Sequence, residues 1–196
     1  MSNRKRAVWV AILFFVQMIT FMIGSAQVKA FTDTGGSKTV LTVGVVLELC
    51  SGLAVIGIGL LMYQVLKHVN KRLARWYPVL RIVEFTVSAI CGIYLLNKLK
   101  VVPNNLLWVY LPTSIGGLIL TYLLYVSKLV PRPIAVLGIV GYGALLLGVL
   151  LDLVGVLDMN RGMGQLLFAP GGLFEFIFFP IWLLAKGFNL PEPEKI

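Results

Sequence analysis

Five ionisable side chains interrupt otherwise apolar stretches of this sequence, and these residues are the most informative about chemistry. They are Glu48, Arg81, Glu84, Asp152 and Glu175. A charge at the centre of a bilayer costs at least about 2.5 to 3.5 kcal/mol, so an ionisable residue there usually pairs with another group or lies on a functional path. Such residues therefore indicate a buried ion pair or a site for a ligand, an ion or a proton.

Three of the five are predicted to form one polar cluster. With a rise of 1.5 Å per residue, Glu84 should lie about 12 Å from the start of its apolar run at Trp76. Glu175 should lie about 16 Å from the end of its run at Lys186, on the same side of the membrane. Arg81 precedes Glu84 by three positions and therefore shares its helix face. Two carboxylates and one guanidinium leave a formal charge of −1, which a proton, a cationic ligand or another donor could complete. Two roles are compatible with this cluster. It is either a purely structural contact that joins two helices, or a site for a ligand, an ion or a proton.

The other two carboxylates are predicted to be secondary. Glu48 and Asp152 fall about 27 Å and about 28 Å from the cytoplasmic ends of their apolar runs. They should therefore lie near the outer interface, where water reaches them. At this position each residue could equally be an ordinary solvated carboxylate or contribute to a binding site.

The elements that must position these residues are transmembrane helices. Of the 196 residues, 59% are hydrophobic and 13% are charged, against about 25% charged in soluble domains. The mean hydropathy is +0.93. Each apolar run is long enough to cross about 30 Å of hydrocarbon. We predict an all-α polytopic protein, one membrane domain over residues 1–196, with helices at about 7–28, 40–66, 76–96, 106–126, 134–157 and 166–186.

The Lys and Arg residues predict the orientation of the bundle. Six helices put both termini on one side, and cytoplasmic loops carry the excess of Lys and Arg. The opposite side has five such residues, Lys29, Lys38, Lys98, Lys100 and Arg161. The side of the termini has eleven: Arg4, Lys5, Arg6, Lys67, Lys71, Arg72, Arg75, Lys128, Arg132, Lys186 and Lys195. We therefore expect a multi-pass protein of the cell membrane with both termini cytoplasmic.

The net charge of +9 is spread over short segments between the apolar runs. This distribution is typical of topology signals and of contacts with anionic membrane lipid, and it argues against nucleic acid as a partner.

Three local features modify the helices. Val28 and Ala30 suit a signal-peptide cleavage point at Phe31, but the length of the first run favours a retained anchor helix. Residues 31–39 are polar and contain two glycines, so they are predicted to form a loop. Pro170-Gly171-Gly172 and Pro180 predict a kink in the sixth helix close to Glu175.

Catalytic and metal-binding patterns are missing from the sequence. Cys50 and Cys91 form no CxxC pair, and His68 is the only histidine. No phosphate loop, HExxH, GxSxG or paired-aspartate protease pattern occurs. We expect no metal, no cofactor and no catalytic residues, which favours a protein that is not an enzyme.

Five short segments are distinctive in combination. They are LLMYQVLK at the end of the second run, LRIVE in the third, the hairpin SKLVPR, and PGGLFE with WLLAKGF in the sixth. On these segments the chain resembles, over about residues 7–189, a bacterial membrane family described as domain of unknown function 4386. The resemblance implies a six-helix membrane domain, adds weight to Arg81, Glu84 and Glu175, and brings no assigned reaction.

Three functions are compatible with these observations. The first is a non-enzymatic accessory, sensing or binding protein with a small ligand or a protein as partner. The second is a small transporter or substrate-binding membrane subunit for a cation, a proton-coupled solute or a polar solute. The third is an enzyme that modifies lipid. A water-accessible cavity reaching Glu84 and Glu175 from one side would favour ligand binding or transport, whereas a dry bundle would favour an accessory role.

Overall fold

A computed structural model describes residues 2–159 and 162–189. Over these residues the chain is entirely helical, without strands, and six helices are long and apolar enough to cross a membrane. The predicted all-α chain with six apolar helices is therefore confirmed. The helices are α1 Asn3–Thr34, α2 Lys38–Leu66, α3 Lys71–Lys98, α4 Asn105–Ser127, α5 Arg132–Leu153 and α6 Gly162–Ala185.

The loop predicted over residues 31–39 is wrong for most of its length. Helix α1 continues to Thr34 and α2 begins at Lys38, which leaves three residues between them. Gly35 adopts a left-handed φ of 69° and its N–H donates to the carbonyl of Phe31 at 2.9 Å. The Ser37 hydroxyl accepts from the Val40 N–H at 3.3 Å. The polar residues that indicated a loop are the exposed last turn of α1 and the cap of α2.

Several further helix ends differ from the prediction, and polar side chains accompany two of these differences. Helix α3 begins five residues earlier, because the Asn70 side chain accepts from the N–H groups of Arg72 and Leu73, each at 3.1 Å. Helix α5 ends at Leu153 instead of 157. The Asp152 carboxylate accepts from the Met159 N–H at 2.7 Å, so it holds the turn that follows the helix.

Helix α6 changes its winding three times along its length. It begins as a 3₁₀ segment over Gly162–Phe168, becomes α-helical over Ala169–Gly172, widens to a π turn over Leu173–Phe178 and returns to α over Phe179–Ala185. Proline lacks an N–H, so Pro180 frees a carbonyl in the preceding turn and permits the wider winding. Glu175 lies within this π turn, and the kink predicted close to it stays a prediction.

The helices form a closed ring in which each packs on its neighbour in sequence and α6 returns to α1. At this closure the rings of Phe14 and Phe179 meet edge to face with centroids 5.4 Å apart. Glycines allow two pairs of helices to approach each other closely. A Cβ on Gly24 would lie 2.8 Å from the carbonyl oxygen of Gly44, and one on Gly141 would lie 2.5 Å from the Cα of Gly171. Pairs α1–α2 and α5–α6 therefore pack backbone against backbone.

The hydrophobic core is unevenly distributed along the bundle. Helices α1, α2 and α3 join the large core cluster only near the end that carries the termini, through residues such as Phe14, Met62 and Tyr77. Near the opposite end they contribute a small cluster of Leu41, Val45 and Leu95. Between these clusters the middle and the far end of the bundle contain open space.

Candidate functional site

A cavity of about 290 Å³ lies between all six helices, and three carboxylates line it. Glu48 comes from α2, Glu84 from α3 and Glu175 from α6. The remaining wall is largely apolar and aromatic, with a few hydroxyl groups. We call this space the inner cavity; its polar and aromatic wall includes Gln17, Glu48, Ser51, Glu84, Phe85, Ser88, Tyr110, Thr113, Tyr142, Phe168, Glu175 and Phe176.

Arg81 forms an ion pair with Glu84 beneath the inner cavity. The guanidinium Nη1 donates to Oε2 of Glu84 at 2.7 Å, as the three-residue spacing on α3 predicts. Arg81 is only 2% exposed and lies over the ring of Tyr77, 5.1 Å from its centroid. Its side chain is enclosed within the bundle. The guanidinium is held by this packing, and it compensates the charge of Glu84.

Glu175 has a different partner, Tyr142 of α5. The phenol hydroxyl donates to Oε1 of Glu175. Tyr142 is 2% exposed, and its ring occupies space that Gly117 leaves free, since a Cβ on Gly117 would lie 2.1 Å from it. A phenol is a neutral donor, so this hydrogen bond supplies no positive charge to compensate the Glu175 carboxylate.

The three residues of the predicted cluster are thus brought to one region. The charge of Arg81 interacts with both Glu84 and Glu175. Among the described residues, the direct ion pair of Arg81 is with Glu84, and Glu175 is held by Tyr142 instead. A ligand, ion or proton site at this cluster stays a prediction.

Glu48 lines the inner cavity from α2, and its place near the outer interface stays a prediction. It is ten positions from the start of α2 at Lys38, about 15 Å along the helix axis. Its Cγ would be 3.1 Å from a Cβ on Gly24, so the side chain passes closely across α1. Within the described part of the chain its carboxylate makes no hydrogen bond or ion pair. Glu48 therefore joins the same cavity as Glu84 and Glu175.

A second cavity of about 390 Å³ adjoins the first on the side away from the termini. Its rim includes Lys29 and Thr32 near the end of α1 and Asn105 at the start of α4. We call this space the outer cavity. It shares five wall residues with the inner cavity: Phe21, Glu48, Ser88, Val109 and Tyr110.

Asp152, the remaining predicted carboxylate, lines neither of these two cavities. Its hydrogen bond to the Met159 N–H gives it a structural role at the end of α5. This position also makes Asp152 a useful comparison for the cavity carboxylates, because it is a carboxylate at the far end of the bundle and outside the site.

Tyr142 is the functional-site residue that the sequence reasoning missed. A buried phenol usually finds a hydrogen-bond partner, so a tyrosine in the middle of an apolar run was a usable signal. Its partner lies 33 positions away on another helix, which no local spacing could reveal.

The chemistry open to this arrangement is electrostatic. Across residues 2–159 and 162–189, no three His, Cys, Asp or Glu side chains are grouped so that they could hold a metal ion. The carboxylates are instead distributed around a cavity large enough for an organic group.

The family described as Domain of unknown function (DUF4386) matches residues 7–106 and 104–187 of the chain. The matched segments include Arg81 and all three cavity carboxylates. No curated protein and no solved structure matches the chain.

Proposed function

We propose that this chain, which belongs to the domain of unknown function 4386 family, is a non-enzymatic membrane protein. In this proposal it binds a small, positively charged amphiphile between its helices. The inner cavity is the binding site in this proposal. Its three carboxylates exceed the single guanidinium beside them, and this excess of negative charge attracts the ligand.

The observation that carries the proposal is the excess of carboxylates around one apolar cavity. Three carboxylates line it and one guanidinium lies beside them, which gives a formal charge of −2. A cation would offset this charge at low dielectric, where electrostatic interactions are strong. The aromatic rings of Phe85, Tyr110 and Phe176 offer an apolar lining and cation–π contacts to an ammonium group.

Two hydroxyl groups of the cavity, those of Ser51 and Thr113, favour binding over catalysis. Ser51 donates to the carbonyl of Gln17 at 3.1 Å, and Thr113 donates to the carbonyl of Val109 at 2.8 Å. A hydroxyl nucleophile needs a general base within hydrogen-bond reach. Both hydroxyls are instead engaged with the backbone, so neither is activated for attack.

Benzyltrimethylammonium is a suitable probe because it combines a fixed cation with one aromatic ring. Its affinity for the purified full-length protein in detergent is measured by calorimetry, beside neopentylbenzene, the neutral molecule with carbon in place of nitrogen. The proposal expects saturable binding of the cation and much weaker binding of the neutral isostere. Equal binding of the two would show that the carboxylates play no part and would overturn the proposal.

Glu175→Gln is the cleanest variant for this measurement. A glutamine oxygen still accepts from Tyr142, so the packing is retained while one negative charge is lost. We expect the affinity for benzyltrimethylammonium to fall by about ten-fold, as the loss of one charge near the ligand implies. Asp152→Asn, the matched change outside the cavity, should leave the affinity unchanged.

Transport is a second candidate, and the outer cavity favours it. A space that joins the inner cavity from one end of the bundle is what a transporter shows in a state open to one side. Uptake of benzyltrimethylammonium into proteoliposomes separates the two functions. Uptake that is lost in Glu175→Gln would indicate transport, and binding without uptake would indicate a sensing or accessory role.

We propose in addition that the chain lies in the cell membrane with both termini in the cytoplasm. The excess of Lys and Arg on the side of the termini supports this orientation. A protease added to intact cells should leave a C-terminal tag uncut, and cleavage of that tag would contradict the orientation.

A further inference from the structure

We infer that the ligand of the inner cavity enters from the end of the bundle opposite the termini, through the outer cavity, and that Glu48 selects for positive charge where the two cavities join. This inference rests on the proposed binding function. It adds a direction of access and gives Glu48 a role distinct from those of Glu84 and Glu175.

The shared wall of the two cavities carries the direction of access. Glu48, Ser88 and Tyr110 line both spaces, so the two cavities meet at these side chains. Past these residues the outer cavity continues between α1, α3 and α4 to Thr32 and Asn105. Thr32 is two residues before the end of α1, and Asn105 is the first residue of α4.

The opposite end of the bundle is packed shut. Below Glu84 and Glu175 lie Tyr77, Met62 and Leu124, each with no exposed surface. Phe14, Phe174 and Phe179 fill the space between α1 and α6, with the last two rings stacked at 5.0 Å between centroids. A ligand in the inner cavity therefore has no open path past these side chains toward the termini.

The charges along the path explain why Glu48 is the selecting residue. Glu84 is compensated by Arg81, and Glu175 is hydrogen-bonded to Tyr142. The Glu48 carboxylate has neither kind of partner among the described residues, and it lies at the shared wall. Lys29 stands at the rim with an exposed side chain, where solvent and salt screen its charge. A cation thus meets an uncompensated carboxylate before it reaches the inner cavity.

Thiol modification can test this path without any knowledge of the ligand. Thr113 lines the inner cavity and not the outer one, so Thr113→Cys reports on access to the deeper space. The native cysteines are first replaced by alanine, because Cys91 lines the outer cavity and Cys50 is exposed on the helix surface. Two membrane-impermeant methanethiosulfonates of similar size are compared, one bearing trimethylammonium and one bearing sulfonate, each scaled to its rate with a free thiol.

The reagents are applied to membrane vesicles of each orientation, and a protease-sensitive C-terminal tag identifies the face of the termini. We expect Thr113→Cys to react from the opposite face only, and faster with the cationic reagent than with the anionic one. Glu48→Gln should reduce this preference for the cation by about ten-fold. Asp152→Asn, a carboxylate change at the same end but outside the path, should leave the preference intact.

Three results would overturn the inference. They are a Thr113→Cys thiol that reacts only after denaturation in SDS, a reaction from the face of the termini, and a charge preference that survives Glu48→Gln. Benzyltrimethylammonium binding measured on the same variants separates this failure from failure of the proposed function. If benzyltrimethylammonium bound but the Thr113→Cys thiol did not react, the path of access would be refuted and the binding function would stand. If the thiol reacted but benzyltrimethylammonium did not bind, the proposed cationic ligand would be refuted and the path would stand.

Discussion

The two ends of this bundle differ in how they use the same six helices. At the end that carries the termini, α1, α2 and α3 bury Phe14, Met62 and Tyr77 in one continuous core with α4 to α6. At the opposite end the same three helices bury only a small cluster around Val45 and leave the outer cavity open. The contrast shows that one continuous core joins α1, α2 and α3 to the other three helices only at the end of the termini, which leaves room for a site in the middle.

The polar residues follow the same division. Arg81 and Glu84 stand where the packed end meets the inner cavity, and their ion pair is enclosed. Glu48 stands at the junction with the open end and has no such partner in the described structure. A buried charge that is paired is compensated within the protein, whereas a charge left unpaired beside a cavity is available to a ligand.

The largest effect on this contrast is expected from Arg81→Leu. Removing one member of a buried ion pair leaves the other uncompensated and typically costs about 3–5 kcal/mol. Reversible unfolding in mixed detergent and SDS micelles measures the loss. The double variant Arg81→Leu/Glu84→Leu should recover most of it, and a double variant as unstable as the single one would contradict the account of the pair.

Gly141→Ala should have the next largest effect. Its Cβ would lie 2.5 Å from backbone atoms of Gly171, which cannot move aside as a side chain would. Helices α5 and α6 must therefore separate, at a cost of about 1–3 kcal/mol in the same unfolding assay.

Gly143→Ala is the matched control for that change, because nothing lies within 4 Å of a Cβ at Gly143. Alanine is favoured over glycine inside a helix by about 1 kcal/mol, so this variant should be unchanged or slightly more stable. Equal destabilisation by the two substitutions would rule out the close contact of α5 with α6.

Tyr142→Phe sharpens the contrast at the inner cavity. The variant keeps the ring and removes the donor to Glu175, and an unmatched buried hydrogen-bonding group costs about 1–3 kcal/mol. Tyr122→Phe, at a tyrosine that is 51% exposed, should have little effect. If the two variants were equally stable, the Tyr142 to Glu175 hydrogen bond would have no energetic role.

Arg4→Gln should give the smallest effect, at the packed end. The Arg4 guanidinium donates to the carbonyls of Leu183, at 3.1 Å, and Leu184, and so ties the start of α1 to the end of α6. Loss of this exposed contact should cost about 0.5–1.5 kcal/mol. Lys5→Gln, the neighbouring change of charge, is the control and should be neutral; an equal loss in both would assign the effect to charge alone.

The sequence predicted the helices well because their signal is local. Apolar length alone identifies all six, and basic segments mark most of their ends. The loop predicted over residues 31–39 failed because polar residues such as Thr32 also suit a helix end that reaches water. The cytoplasmic position of the termini stays a prediction, since it depends on the membrane as well as on the chain.

The site was less predictable because it depends on tertiary arrangement. The shared depth of Glu84 and Glu175 could be counted along each run, and the i,i+3 pair of Arg81 followed from helix geometry. The direction of Glu48 and the contact of Tyr142 depend on how helices rotate against one another. These rotations are set by close contacts such as that of Gly117 with Tyr142, which no single helix reveals.

The central claim is that the bundle is packed at the end of the termini and open at the other, and one comparison of thiols tests it most directly. Ser88 lines both cavities, whereas Thr121 is fully buried nearer the termini on α4. In protein with Cys50 and Cys91 replaced by alanine, the trimethylammonium methanethiosulfonate should modify Ser88→Cys in the folded state and Thr121→Cys only after denaturation in SDS. Equal rates at the two positions in the folded protein would contradict the claim.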